Sequence, residues 1–314
     1  MKNKFTSFLL FSFLILSLEN SGYAQEFNFD TESIEILENG NMEEGRNGIT
    51  KSIFGHSMRF SLKDGCLPLL TTKKVAWKTC FKELIWFMKG CTDNNELIKQ
   101  NVHIWDDNST REFLDSRGLQ NNAEGDLGPV YGHQWRHFNA EYTDCHTDYT
   151  GKGIDQLQNI IKQLRTEDGR KSRRLIMSAW NPCQIDEMAL PPCHVLIQFN
   201  VRQNKYLSCS LYQRSCDVGL GVAFNIASYS FLTHIMAKHC GLIAEDFVYF
   251  MGNAHIYEEH IDAMKLQITH IPKPFPTIVF KDDVAHENIE DYSLTDFTVE
   301  NYISYEKIKM KMIA

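Results

Sequence analysis

The segment Leu211–Tyr229, LYQRSCDVGLGVAFNIASY, leaves few architectures open. A strand ends in the polar run Gln213-Arg214-Ser215-Cys216-Asp217. A glycine turn, Gly219-Leu220-Gly221, follows, and a helix starts at once. A strand that feeds a long helix through so short a turn needs a sheet on one side and a layer of helix to cover it. Glycine lets backbone come close to a ligand or a neighbour. Arg214 and Ser215 together suit a phosphate, one as a planar charged fork and the other as a neutral donor. The competing reading is a structural ion pair between Arg214 and Asp217.

The rest of the chain agrees with mixed layers. Residues 52–62 alternate, with Met58, Phe60 and Leu62 opposed to Arg59 and Ser61, as in a half-buried strand. Residues 77–88 carry Trp77, Cys80, Phe81, Leu84, Ile85 and Met88 on one helical stripe, and Gly90 stops them. Glu83 lies on the flank of that stripe. Such a carboxylate ordinarily points to water; facing a closed pocket instead, it would have a raised pKa and could shuttle protons. Residues 154–164 form an amphipathic helix. Residues 175–179, 195–201 and 206–212 form strands. Residues 222–239 form a long helix with Val222, Ile226, Tyr229, Thr233 and Met236 along one side, and residues 255–266 a further helix. Residues 101–150 are polar, aromatic and loop-rich, a composition that suits a functional segment. Without regular βαβ alternation, the expectation is one α+β domain, a mixed central β-sheet flanked by helices.

Bulk properties narrow the function. The 314 residues are 43% hydrophobic and carry a formal charge of −8, so nucleic acid is not the main partner. An anion would be held by a few placed arginines, and Arg46 and the pair Arg173-Arg174 are candidates beside Arg214. The nine cysteines show no C-x-x-C pair and the histidines no H-E-x-x-H, which argues against a disulfide framework and against a metal. The first 25 residues conflict with that reduced-thiol picture. Lys2 and Lys4 precede the apolar run 8–16, and Ser21, Gly22 and Ala24 follow, the layout of a secretory leader too short to span a membrane.

One cysteine is placed unusually. In MALPPCHVLIQF, Pro191 and Pro192 fix the chain just before Cys193 and His194 enter a strand. A free cysteine is ordinarily a small buried hydrophobe. A thiol aimed from a strand entrance into a cleft, with an arginine beside it to favour thiolate, would be a nucleophile.

The motifs ALPPCH, LYQRSCD, FNIASY, GDLGPVYGHQWRHF, ELIWFMKG, SRRLIMSAWNP and HIYEEH, in this order and spacing, resemble the thymidylate synthase family from about Phe29 to Ala314. The insertion STREFLDSRGL and the segment HFNAEYTDCHTDYTGKGIDQL resemble its eukaryotic branch. The resemblance implies a catalytic domain over 29–314 behind an N-terminal extension, 1–28. It implies reductive methylation of dUMP to dTMP, with 5,10-methylenetetrahydrofolate as co-substrate and no metal. Cys193 would attack C6 of the uracil ring, and Glu83, Tyr131 and His194 would serve the water and proton network. Arg214, Ser215, Arg46 and the pair Arg173-Arg174 would bind the phosphate. The pair crosses between subunits, so a homodimer is implied. Asn225 would read the uracil edge, His255 and Tyr257 the deoxyribose hydroxyl, and Gln213 and Asp217 would complete the nucleotide site. Ile104, Trp105, Asn108, Leu190, Asp217, Gly221 and Phe224 would line the folate site, with Ala314 at the closing tail. Folate and nucleotide substrates argue for the cytoplasm, the leader for export; the reading adopted is cytoplasmic, without membrane attachment.

Several positions depart from the family pattern. Gly45 and Asn47 flank Arg46 in place of the usual Asp and Thr. Ala223 replaces a proline, Asn253 an aspartate, and Ser210 and Asn200 a Gln and an aromatic. The tail KMKMIA ends in a small residue. Three rivals stand beside the main reading. One is a deoxyuridylate hydroxymethylase on the same scaffold. Another is a Cys-His acyl hydrolase, for which His194, adjacent on a strand, is badly placed. The last is a nucleotide-binding protein without turnover.

Overall fold

Six strands pair in the order β1-β2-β6-β5-β4-β3: β1 Asn41–Gly45, β2 Gly48–Ser61, β3 Ile176–Ser178, β4 His194–Arg202, β5 Tyr206–Asp217 and β6 Ile243–Tyr257. All neighbours are antiparallel except β5 and β6, which run parallel, so the sheet is mixed as expected. The structure, a computed structural model, describes residues 27–313. The leader expected over residues 1–25 and the contact expected of Ala314 lie outside the described residues.

Period-two alternation sorts the two faces of the sheet. In β5, Leu207, Cys209, Leu211 and Gln213 are buried, while Ser208, Ser210 and Tyr212 face the other way. The buried face is covered by helices. These include α1 (Phe27–Asn39) against β2 and the helix that follows the glycine turn, Gly221–His239, with α2 (Trp77–Met88) packed on that last helix as a further layer. That last helix was expected to bury one side; it is instead buried nearly all round, from Val222 through Ala237. It crosses between the parallel strands β5 and β6 and packs on α2, so water reaches little of it. Phe81 of α2 meets Phe231 edge to face, with ring centroids 5.5 Å apart. Gly90, at φ +72°, ends the turn after α2 in a conformation that side chains resist.

The other face is open. Phe54 is 82% exposed, and Tyr212, Phe250 and Ile176 are each more than two-fifths exposed. A concavity of about 400 Å³ lies on this face, lined among others by Arg59, Gln198, Asn200, Arg202, Ser210 and Glu245. The two family departures Asn200 and Ser210 both line it.

Two expectations are corrected. His255 does not start a helix: His255 and Tyr257 end the long strand β6, and the helix begins only at Ile261. Parallel pairing with β5 (Asp217 opposite His255) and antiparallel pairing with β2 claim that segment for the sheet. The polar stretch 101–150 is loop-rich as expected, yet Tyr131–His137 within it is a helix, buried from Tyr131 to Trp135.

Candidate active site

The site forms where the ends of β4, β5 and β6 meet the start of the buried helix. A bulge decides its layout. In β4, His194 pairs with Gln213 and Leu196 with Tyr212, leaving Val195 as an extra residue. A bulge re-aims the side chains before it, so strand alternation does not predict where Cys193 and His194 point. Pro192 precedes them, and the Arg214 amide donates to the Cys193 carbonyl at 3.0 Å. The Arg214 guanidinium donates to the carbonyls of Pro191 and Pro192, at 2.8 Å each, and lies 5.6 Å from the Trp180 ring. No ion pair joins Arg214 to Asp217 among the described residues. The arginine therefore staples the proline turn under Cys193 and keeps its charge beside the thiol.

Cys193 is neither sealed in nor freely exposed. Burial pushes its thiol up, and the nearby charges of Arg214 and Arg46 pull it back only in part. The expected thiolate is thus corrected: at this site desolvation outweighs the arginines. The charge of Arg46 acts on the thiol from the two-residue turn that joins β1 to β2, where Gly45 pairs with Gly48. Its neighbour Asn47 lies beside Tyr257. Tyr131 accepts from the amides of Cys193 (2.7 Å) and His194 (3.4 Å), so its own hydroxyl proton is free to donate into the cleft. Burial holds the Tyr131 phenol well above its ordinary range, and it stays neutral.

His194 does not act on the thiol. Its Nε2 lies 2.7 Å from Asn225 Nδ2, and its ring packs between Tyr131 and Tyr229. Burial drops its pKa to about 3, so the imidazole is neutral at any working pH. With Asn225 donating, the histidine proton sits on Nδ1, which has no protein acceptor among the described residues. Tyr249 donates to Gln213 Oε1 at 2.7 Å and lies 3.5 Å from Asn225 Oδ1, while Gln213 Nε2 donates to the Ser215 carbonyl at 2.9 Å. The bond to His194 fixes the Asn225 amide while leaving it one donor hydrogen and a carbonyl oxygen able to accept.

Glu83 keeps some accessible surface, yet it is enclosed enough that desolvation raises its carboxyl to about 7. Its hydrogen-bond partner among the described residues is Trp105, whose Nε1 donates at 2.7 Å. A carboxyl that titrates near neutrality can both give and take a proton. Trp105 leads into the short turn 106–109, where Asn108 is 7% exposed and its Nδ2 has no protein acceptor among the described residues. Ile104, Leu190, Gly221 and Phe224 are all half-buried.

The glycine turn has a more local reason than ligand approach. A Cβ at Gly219 would stand 2.7 Å from His260 Nδ1. His260 was not expected in the site. It is fully buried, its Nδ1 is 3.9 Å from Asp217 Oδ1, and its Nε2 lies 2.7 Å from the Lys311 carbonyl. It therefore links the C-terminal tail to the end of β5. Lys73 was also missed; it is buried, donates to the Gly219 carbonyl at 2.5 Å, and is depressed to about 8 by desolvation. His255 contacts the Asn253 amide at 2.9 Å and meets Tyr257 edge to face. Tyr249 and His260 belong to a strand missed in the sequence and to the end of the quoted HIYEEH motif. Arg173 and Arg174 stand apart: both are exposed at the sheet edge, and no described bond or ion pair of their side chains ties them to the cleft.

Residues 28–314 match the family model described as Thymidylate synthase. The chain belongs to the thymidylate synthase family. It is 50% identical over 287 residues to the thymidylate synthase of Saccharomyces cerevisiae, covering 88% of this chain and 93% of that protein. It is 50% identical over 279 residues to the bifunctional dihydrofolate reductase-thymidylate synthase of Leishmania major, covering 88% of this chain and 53% of the relative. The probable thymidylate synthase of Schizosaccharomyces pombe is 51% identical over 286 residues, with 88% of this chain and 45% of that protein covered. The chain thus spans about half the length of the bifunctional relatives. Family membership accounts for the mixed sheet and its flanking helices. Among the described residues no helix is long and apolar enough to cross a membrane.

Proposed function

We propose that the chain methylates dUMP reductively to dTMP, taking both carbon and hydride from 5,10-methylenetetrahydrofolate, as a cytoplasmic homodimer. The observation that carries this reading is the gathering of Arg214 and Arg46 about the half-buried Cys193, with the Asn225–His194 pair beside it, in a chain of this family.

The Cys193 thiol gives up its proton to water in the site as its sulfur adds to C6 of the uracil, and the ring electrons move to C5 and O4. C5 then attacks the methylene carbon of the folate and afterwards gives up its proton. Loss of tetrahydrofolate nitrogen leaves an exocyclic methylene. Hydride from the folate reduces it to methyl, the sulfur leaves C6, and dTMP and dihydrofolate result. Glu83, poised near neutrality, moves the proton at O4 through water, and the Tyr131 hydroxyl serves the proton taken from C5. His194, neutral and anchored, orients Asn225. Asn225 donates to O4 and accepts from N3–H, a pattern that cytosine reverses.

Arg214, Ser215 and Arg46 hold the phosphate, with Arg173 and Arg174 of the partner subunit. The naked sheet face with Phe54, Tyr212 and Phe250 supports that dimer, since so much exposed aromatic surface marks an interface. Gln213, His255 and Tyr257 place the sugar. Asp217, Trp105, Asn108, Leu190, Ile104, Gly221 and Phe224 receive the folate, and the unanswered Asn108 Nδ2 suits a polar pterin. Residues 29–314 make the catalytic unit.

Incubation with dUMP and methylenetetrahydrofolate should yield dihydrofolate, followed by its absorbance. Tetrahydrofolate as product would replace this reading with hydroxymethylation. Absence of a 5-fluorodeoxyuridylate adduct at Cys193 would reduce the protein to a binder. Mixing inactive Cys193→Ser with an inactive Arg173→Ala/Arg174→Ala variant should restore turnover, because one hybrid cleft has every group. No restoration would remove the shared arginines.

A further inference from the structure

The segment after α2 meets the loop spanning residues 139–153, where Thr92 and Tyr142 share a hydrogen bond of 2.8 Å. There Asp93, Cys145 and His146 each offer one ligand atom, and these atoms lie within 4.8 Å of one another. Cys145 Sγ is 3.7 Å from His146 Nε2. A tetrahedral centre with a metal–sulfur bond of ~2.3 Å and a metal–nitrogen bond of ~2.0 Å requires a sulfur–nitrogen edge of ~3.6 Å. Side chains adjacent in sequence thus already span one edge of such a centre.

The surroundings are built around negative charge. Asp93 is 6% exposed and Asp126 beside it 1% exposed. Asp93 Oδ1 accepts from the Asn95 amide and side chain, at 2.9 Å each. Asp126 Oδ1 accepts from Gly128 N and from the Tyr142 hydroxyl, and its Oδ2 accepts from the Cys145 amide at 3.2 Å. Among the described residues neither carboxylate forms an ion pair with a lysine or arginine. Buried carboxylates held only by neutral donors are costly, and a bound cation offsets that cost. Asp126 holds the backbone of one ligand residue, as groups behind a metal site commonly do.

We propose that Asp93, Cys145 and His146 bind a borderline-soft divalent cation, zinc being the type, with water completing a tetrahedron. A thiolate and an imidazole together select against magnesium and calcium, which take oxygen ligands. The cation would tie residues 139–153 to the segment behind α2, which carries Glu83.

The test uses the reduced full-length chain with zinc, and with cobalt as a spectroscopic probe. The expected result is one equivalent per chain, with a thiolate-to-cobalt charge-transfer band. Affinity should fall by at least ~10-fold in Cys145→Ser and in His146→Ala, and hold in Cys193→Ser. Equal binding by wild type and Cys145→Ser, or no charge-transfer band, overturns the proposal. Should those variants fail to fold, the wild type answers alone. Saturating zinc should shield Cys145 from alkylation, read by peptide mass spectrometry, and an unshielded Cys145 refutes the site.

Discussion

Cys193 and Cys145 sit in fields of opposite sign. Around Cys193 the neighbouring charges are Arg214 and Arg46, and they work against the rise that burial imposes. Around Cys145 they are Asp126, Asp93 and Asp144; these add to burial and push the thiol up to about 12. The same functional group is therefore prepared for different partners. An electropositive cleft favours a nucleophilic sulfur and an anionic substrate; an electronegative one favours a cation. Both thiols are partly buried, so burial alone does not separate them.

The sharpest way to break this comparison is to exchange the thiols for hydroxyls. Cys193→Ser should lower kcat by ~10⁴-fold or more while leaving dUMP binding measurable, because the carbon–sulfur bond is the reaction. Cys145→Ser should keep kcat within about twofold. Comparable losses in steady-state assays would erase the distinction. Next is the charge itself. Arg214→Ala should raise the KM for dUMP by ~10²-fold, because alanine offers the phosphate neither a positive charge nor a pair of donors. Arg214→Lys should regain the alkylation rate of Cys193 but not the KM, since lysine restores charge without the fork.

Glu83 tests how far burial, rather than charge, sets the polarity of the cleft. Its carboxyl lies near 4.5 when unfolded and about 7 when folded. Between those values the native state holds a proton that the unfolded chain has released, so stability falls as pH rises through that window. The decline is complete above pH 7. Glu83→Gln should remove it, shrinking the stability difference between pH 5 and pH 8 by about 1–3 kcal/mol in urea titrations. The same variant should lose the inflection near pH 7 in kcat/KM. An unchanged pH slope would mean that Glu83 is well solvated. The smallest effect is on the second thiol. Asp93→Asn should speed alkylation of metal-free Cys145 by about threefold, as one repelling charge is removed. A slower rate would show that Asp93 acts by position rather than charge.

Much of this was legible in the chain, for identifiable reasons. The strand–turn–helix of Leu211–Tyr229 was readable because its period changes at the glycines, and Cys193 stood out because two prolines announce it. Tyr249 was not readable, since pairing with β2 and β5, from distant parts of the chain, is what makes its segment a strand. His260 looked like the end of a motif, and only the fold brings the Lys311 carbonyl to it. The Asp93–Cys145–His146 cluster has no motif spacing, because its parts come from two distant loops.

The sequence by itself determined which residues alternate, which cap and turn, and which family the chain resembles, because those are local properties of neighbouring side chains. Only the tertiary structure decided the sign and strength of the field at each titratable group. Desolvation and Coulomb interactions depend on atoms brought close from far along the chain: Arg46 to Cys193, Trp105 to Glu83, Asp93 to Cys145. That is why the thiolate expected at Cys193 gives way to a thiol whose pKa burial raises.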